Sequence, residues 1–178
     1  MDAIQQPKRR KFIRIASAGP LAAGIGGLPG LLASRTAQAQ QALGDENFAT
    51  LTKIARDIFP HDRFEDALYK DAVASYGDAT KTDATQKKLI TDGIAAVDAA
   101  AMQKAGKRYV EIADEKDRVA ILKGMESSPF FQKVRGDLVV SLYNQPAVWK
   151  KLGYQGPSAE FGGYIKRGFN DQNWMGTT

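Results

Sequence analysis

His61 is the only histidine of the chain, and Asp62 follows it directly, so this pair is the first candidate for proton-transfer chemistry. A histidine beside a carboxylate can act as a general base with an orienting partner. The same pair also fits an ordinary loop histidine, because Pro60 breaks the preceding helical pattern. A single His-Asp dipeptide does not specify a reaction, and both interpretations stay open.

Other reactive groups are scarce. The chain has no cysteine, which excludes disulfides, thiolate metal sites, iron–sulfur clusters and covalent attachment of haem through a C-x-x-C-H motif. A transition metal would have to rely on carboxylates, since only one histidine is present. No serine lies in a nucleophile elbow, and Gly162-Gly163 is not a dinucleotide fingerprint. We predict no catalytic, cofactor-binding or metal-binding residues in this chain.

The net charge of +5 arises from 25 basic and 20 acidic residues. Residues 1–39 contain six of the basic residues and one acidic residue, so the remainder has 19 of each. A surface that binds phosphate needs a clustered excess of lysine and arginine. We therefore expect no nucleic-acid partner.

The excess basic residues belong to an N-terminal pattern typical of an export signal. Arg9 and Arg10 stand in a basic cluster that continues into Phe12, and a weakly apolar run follows over residues 15–33. Ala37 and Ala39 then form a small-x-small cleavage motif. The pattern predicts a twin-arginine signal peptide over residues 1–39, cleaved after Ala39, and a single domain over residues 40–178.

Five glycines and two prolines interrupt the apolar run. They make it a poor membrane helix, although an uncleaved anchor is the alternative interpretation. A twin-arginine signal implies passage through the twin-arginine translocase to the periplasm in a folded state. A domain without a visible cofactor site has little need of that route. The mismatch suggests that the signal also serves a companion protein that carries a cofactor.

Apolar residues recur at helical spacing through most of the domain, and capping residues mark the ends. Asp45, Asp114 and Ser128 are predicted caps, while Gly77 and Gly106 are predicted stops. The predicted helices cover residues 45–59, 65–76, 82–105, 114–125 and 129–143. The expected fold class is all-α, a small bundle of about five helices followed by an irregular C-terminal segment rich in glycine and aromatic residues.

The C-terminal segment is too aromatic for a disordered tail and too rich in glycine for a regular helix. Its large side chains must cover either the domain's own core or another protein. The residues suggested as partner anchors are Trp149, Tyr154, Tyr164, Arg167 and Trp174. Periodicity does not separate a core lid from an interface, and both interpretations stay open.

Several motifs together resemble those of the gluconate 2-dehydrogenase subunit 3 family. They are ARDIFPHD over residues 55–62, FF over 130–131, LYNQPAVW over 142–149, LGYQGPS over 152–158, GGY over 162–164 and DQNW over 171–174. The C-terminal motifs are the most specific. The resemblance covers nearly all of the chain after the leader.

This resemblance implies a non-catalytic small subunit. Its partners would be a large subunit of the glucose-methanol-choline oxidoreductase type, which carries FAD, and a cytochrome c subunit, which carries haem c. The small subunit would co-export and stabilise the flavoprotein in the periplasm, where its partners could hold it at the membrane. The alternatives are a free-standing periplasmic binding or scaffold domain and a small hydrolase that uses His61 and Asp62.

Overall fold

A computed structural model describes residues 28–165 of the chain, with side chains from residue 35 onward. Within this range the regular structure consists of seven α-helices and two 3₁₀ turns. The α-helices are α1 (Leu28–Leu43), α2 (Asp45–Ile58), α3 (Asp66–Thr82), α4 (Ala84–Ala105), α5 (Glu115–Lys123), α6 (Pro129–Tyr143) and α7 (Pro146–Leu152). The 3₁₀ turns are Tyr109–Glu111 and Ser158–Phe161. The all-α prediction is confirmed, and the five predicted helices correspond to α2–α6.

The helix ends follow local capping chemistry. The side chain of Asp114 accepts a hydrogen bond from the Lys116 amide, and that of Ser128 accepts one from Phe131. Gly106 ends α4 in the left-handed conformation at a φ of 65°, which favours glycine. The prediction of Asp45 as a cap is wrong, since Gly44 occupies the cap position with a φ of 84°. Asp45 begins the helix instead, where its charge complements the helix dipole.

The core forms around α3, which packs against α1, α2, α4 and α6. The Tyr76 hydroxyl donates a 2.7 Å hydrogen bond to Asp137 and so joins α3 to α6. The largest fully buried side chains include Leu51, Ile54, Tyr69, Val73, Ile90, Val97, Leu138 and Leu142. Ile58, Leu89 and Met125 are partly buried and pack against this core.

Gly77 does not end the second predicted helix, because α3 continues through it to Thr82. A Cβ atom at Gly77 would lie 2.4 Å from the Cα atom of Ala39 and 2.6 Å from its Cβ atom. The glycine therefore permits close approach of α1 rather than a helix stop. From the sequence alone, a glycine at position 77 is compatible with both a helix end and a close contact between helices.

Helix α1 was not anticipated from the sequence. It begins within the predicted leader and ends at Leu43, so the predicted cleavage point after Ala39 lies inside a helix. Ala39 is completely buried and Leu43 is nearly so. In the described part of the chain, no helix combines the length and apolar character needed to cross a bilayer.

Candidate functional site

The loop between α2 and α3 carries the predicted His-Asp pair. The Nε2 atom of His61 forms a 2.7 Å hydrogen bond with the hydroxyl of Tyr143, on α6. The His61 ring also packs on Phe64 at a centroid distance of 4.3 Å. Asp62 is exposed. The histidine is thus held by a tyrosine 82 residues away, a partner for which the sequence offers no local signal.

Further contacts hold this loop at its base. The Arg56 guanidinium donates to the Phe64 carbonyl at 3.0 Å and to the Asp66 carboxylate at 2.9 Å, and it lies 5.2 Å from the centre of the Tyr69 ring. The Tyr69 hydroxyl donates to the Phe59 carbonyl at 2.7 Å. The loop is therefore fixed on the bundle rather than loosely connected.

A cleft of about 380 Å³ separates this loop from the end of α7. Its walls are Pro60, His61, Asp62, Arg63, Phe64, Lys151 and Leu152. The side chain of Lys151 also pairs with Glu65 at 3.1 Å. The cleft combines both signs of charge with an apolar edge. Leu152 belongs both to the wall of this cleft and to the C-terminal segment.

The C-terminal segment, residues 146–165, is attached to the bundle through α7. Val148 is fully buried, and the indole nitrogen of Trp149 donates a 2.7 Å hydrogen bond to the Tyr143 carbonyl. The ring of Tyr154 meets the Trp149 ring edge-on at 5.5 Å. Trp149 is therefore hydrogen-bonded to the end of α6 and packed against the ring of Tyr154.

Beyond Trp149 the segment exposes its large apolar side chains. Gly156 adopts a φ of 102°, and a Cβ atom there would lie 3.6 Å from both Trp149 and Phe161. The exposed side chains, with their exposed fractions, are Leu152 (53%), Tyr154 (49%), Phe161 (55%), Tyr164 (59%) and Ile165 (83%). We call these five residues the C-terminal apolar surface. An apolar, aromatic surface on a fixed scaffold is suited to protein association.

The other predicted site residues are distributed as follows. Arg167 and Trp174, suggested as anchors, and Arg9, Arg10 and Phe12, of the export signal, lie outside the described residues. Ala37 is exposed on α1, whereas Ala39 faces α3. The structure thus brings Trp149 and Tyr154 together.

A buried ion pair joins α2 and α5 and was not predicted from the sequence. The Arg118 guanidinium donates to both carboxylate oxygens of Asp57, at 2.7 and 2.8 Å, and the Tyr109 hydroxyl donates to the same carboxylate at 2.7 Å. Arg118 also donates to the carbonyls of Ile112 and Ala113, both at 2.8 Å. Every group is satisfied, as a buried charge requires. The side chains are separated too far along the chain for a sequence motif to reveal them.

The pKa directions agree with this cluster's burial. Burial raises the pKa of Tyr109 far above its usual value, and the hydrogen bond to Asp57 raises it further. The hydrogen bond to Asp57 is also the main reason that the pKa of Arg118 is raised. The cluster therefore holds a neutral tyrosine and a charged arginine inside the fold. It lies within the core and contributes no lining to the cleft beside His61.

Comparison with known proteins adds one finding to this geometry. No curated protein and no solved structure matches the chain significantly. The family model described as gluconate 2-dehydrogenase subunit 3 matches residues 45–156. The match runs from the first residue of α2 to Gly156, and so includes the His61 loop, the buried ion pair and α7. More than half of the chain is covered, and the chain therefore belongs to the gluconate 2-dehydrogenase subunit 3 family.

Proposed function

We propose that this chain is the non-catalytic small subunit of a periplasmic FAD-dependent dehydrogenase complex acting on a sugar, a sugar acid or an alcohol. The observation that carries the proposal is family membership over residues 45–156, since the family is named for a dehydrogenase subunit. FAD and the catalytic base belong to the large subunit. Haem c belongs to a cytochrome subunit that accepts the electrons.

The C-terminal apolar surface supports a docking role. Its five residues, defined above, are about half exposed or more, and aromatic anchors of this kind dominate the energetics of protein interfaces. The Trp149 and Val148 side chains hold the segment on the bundle before any partner arrives. A surface that is already ordered loses less conformational entropy on association. We assign the contact with the flavoprotein to this surface and, from the sequence alone, to Arg167 and Trp174, which lie outside the described residues.

The export role rests on the basic motif at the N-terminus. Arg9 and Arg10 precede Phe12 in a leader of the twin-arginine type. A flavoprotein must fold around its cofactor before it crosses the membrane. A large subunit without a leader can use this chain's leader if the two bind in the cytoplasm.

Export is tested by expressing the large subunit with and without this chain. With Arg9 and Arg10 both changed to lysine, we expect the flavoprotein to remain in the cytoplasmic fraction. Arg14→Lys is the matched control, because it makes the same exchange outside the arginine pair, and it leaves export unchanged. Normal periplasmic dehydrogenase activity with the paired variant or without this chain contradicts the co-export role.

Association is tested separately by purifying a C-terminally tagged chain from its own cells. A stoichiometric yellow partner with the absorption of oxidised flavin is the expected result. A chain that elutes alone and binds a sugar would favour the free-standing binding domain. Hydrolytic activity of the purified chain, lost in His61→Ala, would favour the hydrolase.

A further inference from the structure

Helix α1 joins the rest of the fold through an unusually close contact between two backbones. Ala39 is completely buried, and the position of a Cβ atom at Gly77 would fall 2.4 Å from the Ala39 Cα atom. Real side chains do not tolerate such a distance. The two helices therefore meet only because position 77 has no side chain and position 39 has a small one.

The contact between α1 and α3 extends over more than one helical turn. Arg35 lies close enough to Asp71 for its charge to lower the pKa of that carboxyl, against burial, which raises it more strongly. Leu43, at the other end of α1, is buried in the core. Asp71 and Gly77 are six positions apart on α3, which is about 9 Å along the helix axis. Helix α1 is thus an integral part of the bundle.

The predicted cleavage motif lies within this docked helix. Ala37 is exposed while Ala39 faces α3. A peptidase binds its substrate as an extended strand, through main-chain hydrogen bonds and pockets for alternate side chains. A helix cannot supply that geometry, because its backbone groups already bond within the helix. Cleavage after Ala39 therefore needs α1 to separate and unwind.

We propose that the folded precursor masks its own processing site, and that the Gly77–Ala39 contact controls how readily α1 opens for cleavage. In the reaction, water adds across the Ala39–Gln40 peptide bond and yields the Ala39 carboxylate and the Gln40 ammonium group. The inference rests on the proposed export, which delivers the domain to the peptidase in a folded state. Processing then reports the opening of one helix rather than the unfolding of the whole domain.

Cleavage at this point also alters the domain that remains. Only residues 40–43 of α1 stay attached to α2, and a single turn is too short to persist as an independent helix. The face of α3 around Gly77 and Asp71 loses its cover. The step is therefore a change in packing as well as the removal of a leader.

The test compares two glycine-to-alanine variants of the purified full-length precursor. Gly77→Ala places a methyl group against the backbone of α1. Gly136→Ala makes the same exchange inside α6, where no atom beyond the adjacent residues and the helix's own backbone lies within 4 Å of the added Cβ atom. Both changes improve helix propensity equally. A difference between the two variants therefore isolates the contact with α1.

Each precursor is incubated with purified signal peptidase in detergent micelles, and the cleavage rate is followed by mass spectrometry. We expect Gly77→Ala to be cleaved about tenfold faster than the wild type, because the added methyl group forces α1 away from α3. Gly136→Ala should match the wild type. Equal rates for all three proteins, or no cleavage after Ala39 in any of them, would overturn the proposal.

Hydrogen exchange provides a readout that does not depend on cleavage. In the wild type, the amides of residues 39–43 should exchange about as slowly as those of α3, and in Gly77→Ala they should exchange faster while α4 and α6 stay protected. If Gly77→Ala does not fold, the wild-type profile decides, and exchange in α1 at the rate of an unstructured peptide would overturn the proposal. Neither assay contains a flavoprotein or a translocase, so a failure of co-export in cells leaves these results unaffected.

Discussion

The two ends of the described chain place their apolar side chains in opposite environments. At the N-terminal end, α1 buries Ala39 and Leu43 against the bundle. At the C-terminal end, Leu152 and Ile165 are 53% and 83% exposed. Helix α1 lies outside the family match and the C-terminal segment continues beyond it. Apolar side chains thus contribute to folding stability at the N-terminal end and are exposed for association at the C-terminal end.

The difference between the two ends separates folding stability from partner affinity, two quantities that a mutation often changes together. Removing buried area lowers the free energy of unfolding, whereas removing exposed area changes stability little. Removing exposed apolar area at an interface lowers affinity instead. Changes at the N-terminal end should therefore lower stability, whereas changes at the C-terminal end should lower the affinity for the partner.

The largest stability effect is expected in the core that supports both ends. Asp57→Ala leaves the Arg118 charge buried without its partner, and we expect the free energy of unfolding to fall by about 3–5 kcal/mol. The control is Glu65→Ala, which breaks the exposed pair with Lys151 and should cost about 1 kcal/mol or less. Urea denaturation measures both. Equal losses would show that the buried pair adds little to the fold.

The same substitution at each end tests the comparison directly. In the full-length precursor, Leu43→Ala should lower the free energy of unfolding by about 2–5 kcal/mol, the usual range for a buried leucine, because Leu43 is buried in the core. Leu152→Ala should change it by about 0.5 kcal/mol or less. A loss of similar size for the two variants, measured by urea denaturation, would remove the distinction between the ends.

Partner affinity should depend on the exposed residues at the C-terminal end. Exchanging Leu152 and Ile165 together for serine should weaken binding to the flavoprotein about 30-fold, which corresponds to about 2 kcal/mol. Met102→Ser is the control, since Met102 is 52% exposed on α4, outside the C-terminal segment. Calorimetric titration gives the affinities. Unchanged affinity for the double variant would move the interface elsewhere on the chain.

The pH dependence of stability should also differ between buried and exposed tyrosines. The raised pKa of Tyr109 keeps it protonated in the fold, while an unfolded tyrosine ionises near about pH 10. Its stabilising contribution is therefore complete below about pH 10 and falls by about 1.4 kcal/mol per pH unit above it. Urea denaturation between pH 9 and pH 11, values chosen around the tyrosine pKa, should give a shallower decline for Tyr109→Phe than for wild type. Tyr154→Phe is the matched control, and an equal decline in all three proteins contradicts the assignment.

The parts of the fold that depend on local chemistry could be predicted from the sequence. Asp114 and Ser128 cap helices, and Gly106 ends one, because capping involves only neighbouring backbone groups. The family resemblance likewise depends on motifs within short stretches, and it is confirmed.

Contacts between distant residues could not be predicted in this way. Gly77 was predicted to end a helix because glycine often does so. The close approach of Ala39 explains why a glycine lies inside α3 instead. The Asp57–Arg118 pair joins residues 61 positions apart. Helix α1 was not predicted because its sequence also fits the pattern of a signal peptide. The assignment of Trp149, Tyr154, Tyr164, Arg167 and Trp174 to an interface stays a prediction.

The position of Trp149 also allows association to be followed by the intrinsic fluorescence of the chain. Its indole is half-buried, hydrogen-bonded to the Tyr143 carbonyl at 2.7 Å and flanked by the Tyr154 ring. A protein that covers Tyr154 displaces water from beside the indole and shifts its fluorescence to shorter wavelength. The chain has two tryptophans, so Trp174→Phe leaves Trp149 as the single emitter. Association at this end of the molecule can then be followed by emission spectra without any attached dye.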